Sequence, residues 1–198
     1  MGNAIPNKNW YTAEEYLERE ITAEFRSEYY FGEVFAMAGA TQTHNLITGN
    51  VFALLRALAR TTKCRAFFSD MQLEVIPGKF YAYPDVIYTC DPSDHSERLT
   101  LKRPVLLVEV LSDSTESFDL GRKLDEYLKI PSLLYYLIVQ QQAYHLRLYE
   151  RKDGEWKYSV VEGVAEQVHL PQLGISIPMA DIYEAVLIEA QPFRSEFS

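Results

Sequence analysis

Residues 105–111 read Val-Leu-Leu-Val-Glu-Val-Leu, an apolar run that carries one carboxylate, Glu109. A short apolar run without alternating polar residues is typical of a strand that is covered on both faces of a sheet. An unpaired carboxylate in such a strand costs several kcal/mol, because the charged group loses its hydration. We therefore expect Glu109 to be paired, neutralised or bound to a cation.

A second acidic residue lies upstream in a similar environment. Asp85 belongs to residues 83–88, which read Tyr-Pro-Asp-Val-Ile-Tyr and predict another short apolar strand. Mg²⁺ and Mn²⁺ take one or two carboxylates together with waters and substrate phosphates. Such an ion lowers the pKa of a bound water and stabilises charge on phosphoryl oxygens. Two carboxylates on two buried strands therefore indicate a site for a hard cation.

A lysine on the next predicted helix adds a positive charge. Asp119, Lys123 and Tyr127 are spaced four residues apart, so they share one face of that helix. A lysine beside a bound metal orients the attacking water or neutralises developing charge. Asp119 also has a simpler explanation, since acidic residues stabilise the first turn of a helix.

The remaining patterns predict a single α/β domain with one mixed sheet flanked by helices. Thr12 to Glu15 is a capping box that starts a helix at residue 13, and we expect Thr43 to cap a second helix. The other predicted helices cover residues 118–130 and 179–188. The predicted strands cover two short segments of residues 28–38 around the Phe31-Gly32 turn, then residues 65–76, 83–90, 105–111, 133–139, 143–149, 156–161 and 167–170.

The acidic composition restricts how the protein can bind nucleic acid. The 198-residue chain has a formal net charge of -9, which argues against non-specific binding driven by charge. A nuclease remains compatible with it, because bound cations and a local basic patch reverse the field at one cleft. The dense basic cluster consists of Arg56, Arg60, Lys63 and Arg65, and we expect it to contact DNA if it faces the same side as the cleft.

The cysteines and the apolar segments suggest a compartment. Cys64 and Cys90 form no CxxC pair and no zinc pattern, so we expect buried thiols in a reducing cytoplasm. No stretch reaches the roughly 18 apolar residues that a membrane span needs. The first residues lack the basic and apolar regions of a signal peptide. We therefore expect a cytoplasmic protein with no membrane association.

Several short motifs follow one another in a recognisable order. They are residues 28–33 with Met37, His44, residues 69–71, residues 83–86, residues 108–112, Asp119 with Lys123 and Tyr127, and residues 135–139. In this order, over roughly residues 10–185 of the 198-residue domain, the chain resembles the Uma-type restriction endonucleases of the PD-(D/E)XK nuclease superfamily. The resemblance implies a restriction-endonuclease-like core, with a central four-stranded mixed sheet, flanking helices and, in this chain, additional β-hairpins.

The resemblance also implies catalytic roles. Asp85 matches the aspartate of the PD motif and Glu109 the acidic residue of (D/E)XK, both as metal ligands, and the main-chain carbonyl of Val110 assists them. The lysine position of that motif holds Leu111. In this family the lysine has migrated to the following helix, and Lys123 fits that position.

Further positions complete the implied site. Glu33 matches the N-terminal acidic residue that completes the metal site in many superfamily members. His44 matches a recurrent histidine at the second helix, and Asp119 and Tyr127 are auxiliary positions. Together these assignments imply an endonuclease that uses Mg²⁺ or Mn²⁺ to hydrolyse phosphodiester bonds in DNA.

Two other functions remain open at this point. A catalytically silent nuclease fold that serves as a binding or dimerisation module is favoured by the acidic charge and by Leu111, and a salt bridge between Glu109 and Lys123 would support it. A metal-dependent enzyme acting on a small phosphorylated substrate would have a narrow pocket without a basic rim. Because the hairpins of residues 133–161 have edge strands, we also expect a homodimer.

Overall fold

The fold is described from a computed structural model over residues 10–37, 39–112 and 119–188, excluding the side chains of residues 119 and 120. The helices are α1 (Ala13–Thr22), α2 (Gln42–Ala59), α3 (Leu124–Tyr127) and α4 (Met179–Ile182). The strands are β1 (Ser27–Tyr30), β2 (Glu33–Ala36), β3 (Arg65–Phe68), β4 (Gln72–Ile76), β5 (Phe80–Ala82), β6 (Val86–Thr89), β7 (Thr100–Leu101), β8 (Pro104–Val110), β9 (Tyr135–Val139), β10 (His145–Lys152), β11 (Glu155–Glu162), β12 (Gln167–Leu170) and β13 (Ile175–Pro178).

The Glu109 strand is β8, which lies inside a six-stranded sheet of order β11-β10-β9-β8-β6-β3. β8 pairs in parallel with β9, whereas the other neighbouring strands of this sheet are antiparallel. The prediction of a mixed sheet flanked by helices is therefore confirmed. The predicted hairpin after residue 143 is formed by β10 and β11, which extend this sheet on one side.

A second, five-stranded sheet of order β2-β1-β5-β4-β7 was not predicted. The expectation of one strand over residues 65–76 is wrong, because the chain divides this segment between the two sheets as β3 and β4. Ser69 separates them with a left-handed backbone, φ 48°, and its amide donates to the Asp85 carbonyl over 3.2 Å. The predicted strand 83–90 begins only at Val86.

Apolar clusters arrange these elements in layers. One cluster joins α2, through Ile47 and Leu55, to one face of the six-stranded sheet. A second cluster joins the opposite face to the five-stranded sheet and α3, through Leu107, Phe80 and Tyr127. A third, smaller cluster packs α1 against the outer face of the five-stranded sheet. β8 is thus covered on both faces, as its unbroken apolar sequence predicts.

Both long helices begin at a capping side chain. The Thr12 hydroxyl accepts a hydrogen bond from the Glu15 amide over 3.2 Å, which confirms the predicted capping box. α2 is capped by Thr41 rather than by the predicted Thr43, because the Thr41 hydroxyl accepts the His44 amide over 3.1 Å. His44 therefore lies in the first turn of α2.

The other two helices are shorter than predicted. Residue 118 lies outside the described part of the chain, and Asp119–Lys123 form a π-helical turn that leads into α3. α4 ends at Ile182, and Ala185 adopts φ 60°, a backbone conformation that does not continue a right-handed helix. No helix in the described ranges combines the length and the hydrophobicity that crossing a lipid bilayer requires.

Cys64 and Cys90 form a disulfide, so the expectation of free thiols is wrong. Cys64 precedes β3 and Cys90 follows β6, and these strands pair with Arg65 opposite Thr89. The next step in this register sets the two cysteines opposite each other, with their Cα atoms 3.9 Å apart. The pairing could not be predicted from the sequence, because a separation of 26 residues matches no disulfide or metal motif.

Reduction of this disulfide is expected to lower the free energy of unfolding by about 3 kcal/mol, because it releases a constraint on the unfolded chain. Urea unfolding with and without reductant measures the change. A Cys64→Ser/Cys90→Ser double variant is the control, since reductant leaves its stability unchanged. Free thiols in the denatured, unreduced protein would contradict the pairing.

Candidate active site

Asp85 and Glu109 lie opposite each other on neighbouring chain segments. β6 and β8 are antiparallel, with Val86 opposite Val108, and the next step in this register sets Asp85 opposite Glu109. Residues directly opposed in an antiparallel pair project from the same face, with Cβ atoms about 5 Å apart. The structure therefore brings together the two carboxylates that the sequence predicted to act as a pair.

Glu109 is buried, with 3% of its surface exposed, and it accepts two hydrogen bonds from the α3 side. Lys123 Nζ lies 3.2 Å from Glu109 Oε1, and the Tyr127 hydroxyl lies 3.0 Å from the same oxygen. Burial, and next the Glu109 carboxylate, hold the pKa of Tyr127 well above its usual range, so the hydroxyl keeps its proton and donates. These contacts supply the compensation that a carboxylate in a buried strand requires.

Lys123 is also buried and is shared by a second carboxylate. Its Nζ atom lies 2.9 Å from Glu28 Oε1, a shorter distance than to Glu109. The same Glu28 oxygen also accepts a hydrogen bond of 3.2 Å from the amide of Tyr83. Tyr83 lies two residues before Asp85. Because Glu28 belongs to the five-stranded sheet and Glu109 to the six-stranded sheet, Lys123 joins the two sheets at this point.

Asp85 is held by the main chain of β8 and by α2. Its Oδ2 atom accepts the Val110 amide over 2.7 Å and lies 3.2 Å from His44 Nε2. The N–H and C=O groups of one strand residue lie along the same edge of the strand, so the Val110 carbonyl also faces Asp85. Two further predicted residues, Val110 and His44, are therefore adjacent to Asp85.

A cavity of about 870 Å³ opens onto this cluster. Its acidic lining residues outnumber its basic ones, so the cavity repels a phosphate group unless a cation is present. Its apolar lining residues include Phe25, Phe35 and Met37, which are exposed. The charged and imidazole side chains of the lining are Glu24, Arg26, Glu28, His44, Asp70, Asp85, Glu109 and Lys123.

The donor atoms are of the kind that Mg²⁺ and Mn²⁺ prefer. The carboxylates of Asp85 and Glu109 and the carbonyl of Val110 are hard oxygen ligands. Within the described ranges, no group of three or more His, Cys, Asp or Glu side chains is arranged to hold a metal ion. The fit therefore depends on two carboxylates and a carbonyl, a set that leaves the other Mg²⁺ positions to waters and substrate phosphate.

Glu33, the predicted third acidic ligand, does not line the cavity. Its side chain is 46% exposed, and its Oε2 atom lies 3.8 Å from Arg122 Nη1. Glu33 belongs to β2, at the edge of the five-stranded sheet, whereas Glu28 on the adjacent strand β1 reaches Lys123. The side chain of Asp119 lies outside the described part of the structure.

The basic cluster is also remote from the cavity. Arg56, Arg60, Lys63 and Arg65 are exposed at the C-terminal end of α2 and the start of β3. His44 lines the cavity from the first turn of the same helix. At 1.5 Å of rise per residue, Arg56 lies about 18 Å from His44 along the helix axis.

Sequence reasoning missed Glu28 as a site residue, although a signal was available. Glu28 is followed by Tyr29-Tyr30-Phe31, so a carboxylate adjoins a run of aromatic residues. The same kind of signal, a carboxylate within an apolar run, identified Glu109. The prediction chose Glu33 because it matches a motif position after the glycine turn. The contact of Glu28 with Lys123, which brings Glu28 to the cavity, depends on how the two sheets pack and is not apparent from the local sequence.

A family model described as "Putative restriction endonuclease", Uma2, matches residues 13–180. The chain belongs to the Uma2 family. The matched range contains every described residue of the cluster, from Glu28 through Asp85 and Glu109 to Lys123. Membership of the Uma2 family supports a nuclease role.

Two Synechocystis sp. proteins are similar to this Uma2 chain. The uncharacterized protein slr1290 is 32% identical over 174 residues, covering 87% of this chain and 91% of that protein. The uncharacterized protein sll1609 is 35% identical over 156 residues, covering 77% and 88%. A crystal structure from Anabaena variabilis, described as a putative nuclease belonging to DUF820, matches with a TM-score of 0.74 at 16% identity over 89% of this chain and 99% of that one. This last likeness confirms the predicted restriction-endonuclease-like fold.

Replacement of Tyr127 by phenylalanine is expected to lower the free energy of unfolding by about 1–3 kcal/mol, because buried Glu109 loses a donor. Urea unfolding measures the change. Tyr158→Phe is the matched control: its ring is 56% exposed, and we expect a change below about 0.5 kcal/mol. Equal stabilities for the two variants would show that the Tyr127 hydroxyl does not stabilise Glu109.

Proposed function

We propose that this protein is an endonuclease that uses Mg²⁺ or Mn²⁺ to hydrolyse phosphodiester bonds in DNA. The observation that supports it is the meeting of Asp85, Glu109 and Lys123 at one cavity. The three residues come from the segment before β6, from β8 and from the turn before α3. Two carboxylates and an ammonium group are the functional groups that metal-assisted phosphodiester hydrolysis uses.

Each residue has a defined task in this proposal. Asp85, Glu109 and the Val110 carbonyl hold the ion, which when bound activates water and stabilises charge on the phosphoryl oxygens. The Val110 amide and His44 keep Asp85 in place, and Tyr127 orients Glu109. The Lys123 ammonium orients the attacking water or neutralises charge that develops on the phosphate.

Contact with DNA outside the cavity is proposed at the basic cluster. Arg56, Arg60, Lys63 and Arg65 are exposed and concentrate positive charge on an otherwise acidic chain. Their separation of about 18 Å or more from His44 spans several phosphates of a duplex, which carries one charge per about 1.7 Å of its axis. In this proposal one duplex contacts both the cluster and the cavity, which requires the two to face the same side of the protein.

A silent binding or dimerisation module is the second candidate function. The direct contact between Lys123 and Glu109 favours it, since the lysine and a carboxylate that would hold the ion neutralise each other. β11 also ends the six-stranded sheet, and it exposes Tyr158 and Val160. An exposed edge strand with apolar side chains pairs readily with another chain, which supports a homodimer under either function.

Cleavage of supercoiled DNA in Mg²⁺ or Mn²⁺ tests the nuclease proposal. We expect Asp85→Asn, Glu109→Gln and Lys123→Met each to lower the cleavage rate by about 100-fold or more. Calorimetry should show weaker Mg²⁺ binding for the two carboxylate variants, because each removes a ligand.

Lys129→Met is the matched control for the lysine variant. Lys129 follows α3, its side chain is exposed, and it pairs with Glu126 over 3.0 Å. This variant should cleave DNA at the rate of the wild type. If the wild-type protein neither cleaves DNA nor takes up Mg²⁺, the silent module replaces the nuclease as the better explanation.

Reversal of charge in the basic cluster is expected to weaken DNA binding. An Arg56→Glu/Arg60→Glu variant should bind duplex DNA less tightly, and the dependence of log K on log salt should become less steep by about 0.9 for each phosphate that the variant no longer neutralises. A Lys152→Glu/Lys157→Glu variant, with the same charge change on the β10–β11 hairpin, is the control. Equal weakening in both variants would indicate a general charge effect and not a binding surface.

A further inference from the structure

Glu28 is a carboxylate of the cluster to which the proposed function gives no task. It lies on β1 with 6% of its surface exposed. Its Oε1 atom is 2.9 Å from Lys123 Nζ, whereas Glu109 Oε1 is 3.2 Å from the same nitrogen. Of these two carboxylates, Glu28 is therefore the nearer partner of the lysine.

The position of Glu28 is fixed from several directions. β1 is hydrogen-bonded to β2 on one side and to β5 on the other, so its backbone lies inside the five-stranded sheet. The Tyr83 amide donates to the same Oε1 atom over 3.2 Å. Glu28 therefore sits on a rigid strand, and its carboxylate is also bonded to a main-chain amide. A carboxylate in such a position holds a lysine more firmly than a carboxylate on a mobile loop does.

The balance of charge indicates why such a partner is needed. Glu28, Asp85 and Glu109 contribute three carboxylates and Lys123 one ammonium, so carboxylates are in excess among these four groups. A divalent cation offsets this excess. A cation on Asp85 and Glu109 repels the nearby ammonium, and in a buried site this repulsion is weakly screened. Glu28 is placed to retain the lysine against it.

We propose that Glu28 is a positioning residue that keeps the Lys123 ammonium at the cavity when a divalent cation binds to Asp85 and Glu109. The proposal rests on the proposed function, in which Lys123 acts on water or phosphate. Without Glu28, the lysine competes with the cation for Glu109. With Glu28, the lysine stays beside the bound substrate phosphate while Glu109 serves as a ligand.

Side-chain ¹⁵N NMR of the lysine ammonium groups tests the proposal without DNA. Lys123→Met identifies the Lys123 signal by its absence. We expect this signal to exchange slowly with water in the wild type and to persist when Mg²⁺ saturates the protein. In Glu28→Gln, exchange should be faster in the metal-free protein, and the signal should disappear when Mg²⁺ is added. Glu28→Asp retains the charge and should retain the signal. If Glu28→Gln does not fold, loss of the Lys123 signal from the Mg²⁺-saturated wild type would overturn the proposal.

Kinetics separate a positioning residue from a metal ligand. Glu28→Gln should lower kcat for DNA cleavage by about 100-fold, because the ammonium is misplaced, and should leave KM unchanged. Its Mg²⁺ affinity should fall less than that of Asp85→Asn, because Glu28 is not a ligand of the ion. In a Lys123→Met background the same change should add no further loss, because Glu28 acts through Lys123.

Three results would overturn the proposal for Glu28. The first is a Lys123 NMR signal that is the same in the wild type and in Glu28→Gln. The second is a loss of kcat, expressed as free energy, in the Glu28→Gln/Lys123→Met double variant that equals the sum of the two single losses. The third is a fall in Mg²⁺ affinity in Glu28→Gln as large as that of Asp85→Asn. Failure of the proposed function is distinguishable from these results. It appears as a wild type that does not cleave DNA, while the exchange of Lys123 in the metal-free protein still decides the role of Glu28.

Discussion

The Lys123 ammonium between Glu28 and Glu109 is the polar interaction that joins the two sheets at the candidate site. Apolar packing joins the sheets over a wide area but is not directional. Two short contacts from one ammonium to carboxylates on different sheets add a directional link between them. A buried charge that loses its partner is strongly destabilising, so this link is held firmly.

The predicted site residues that the structure brings together are those that a short stretch of sequence makes conspicuous. Glu109 stands out because it interrupts an apolar strand, and Lys123 and Tyr127 share a helical face that does meet it. The sequence did not show that Glu28 rather than Glu33 lines the cavity, that residues 65–76 form two strands, or that the cysteines pair, and one reason accounts for all three. Each depends on which distant strand lies alongside, and side-chain patterns within one segment carry no such information.

The position of the lysine follows from packing around Leu111. Leu111 projects from the same face as Glu109, since side chains two residues apart share a face of a strand. It is 5% exposed and belongs to the apolar cluster that includes Tyr127 and Leu107. The face next to Glu109 is therefore filled by an apolar side chain, and the ammonium reaches Glu109 from the segment that connects β8 to β9. The site requires a positive charge beside Glu109, and a lysine from a different part of the chain can supply it.

The residues of the cluster lie far apart along the chain, and this spacing affects how the protein folds. The hydrogen bond between Tyr83 and Glu28 closes a separation of 55 residues. Interactions between distant residues are slow to form, because the chain gives up conformational entropy before the interaction stabilises it. Glu109 and Lys123, 14 residues apart, meet within a local segment, but Glu28 joins them only after both sheets have docked. The complete cluster therefore exists only when segments from residue 28 to residue 123 have come together.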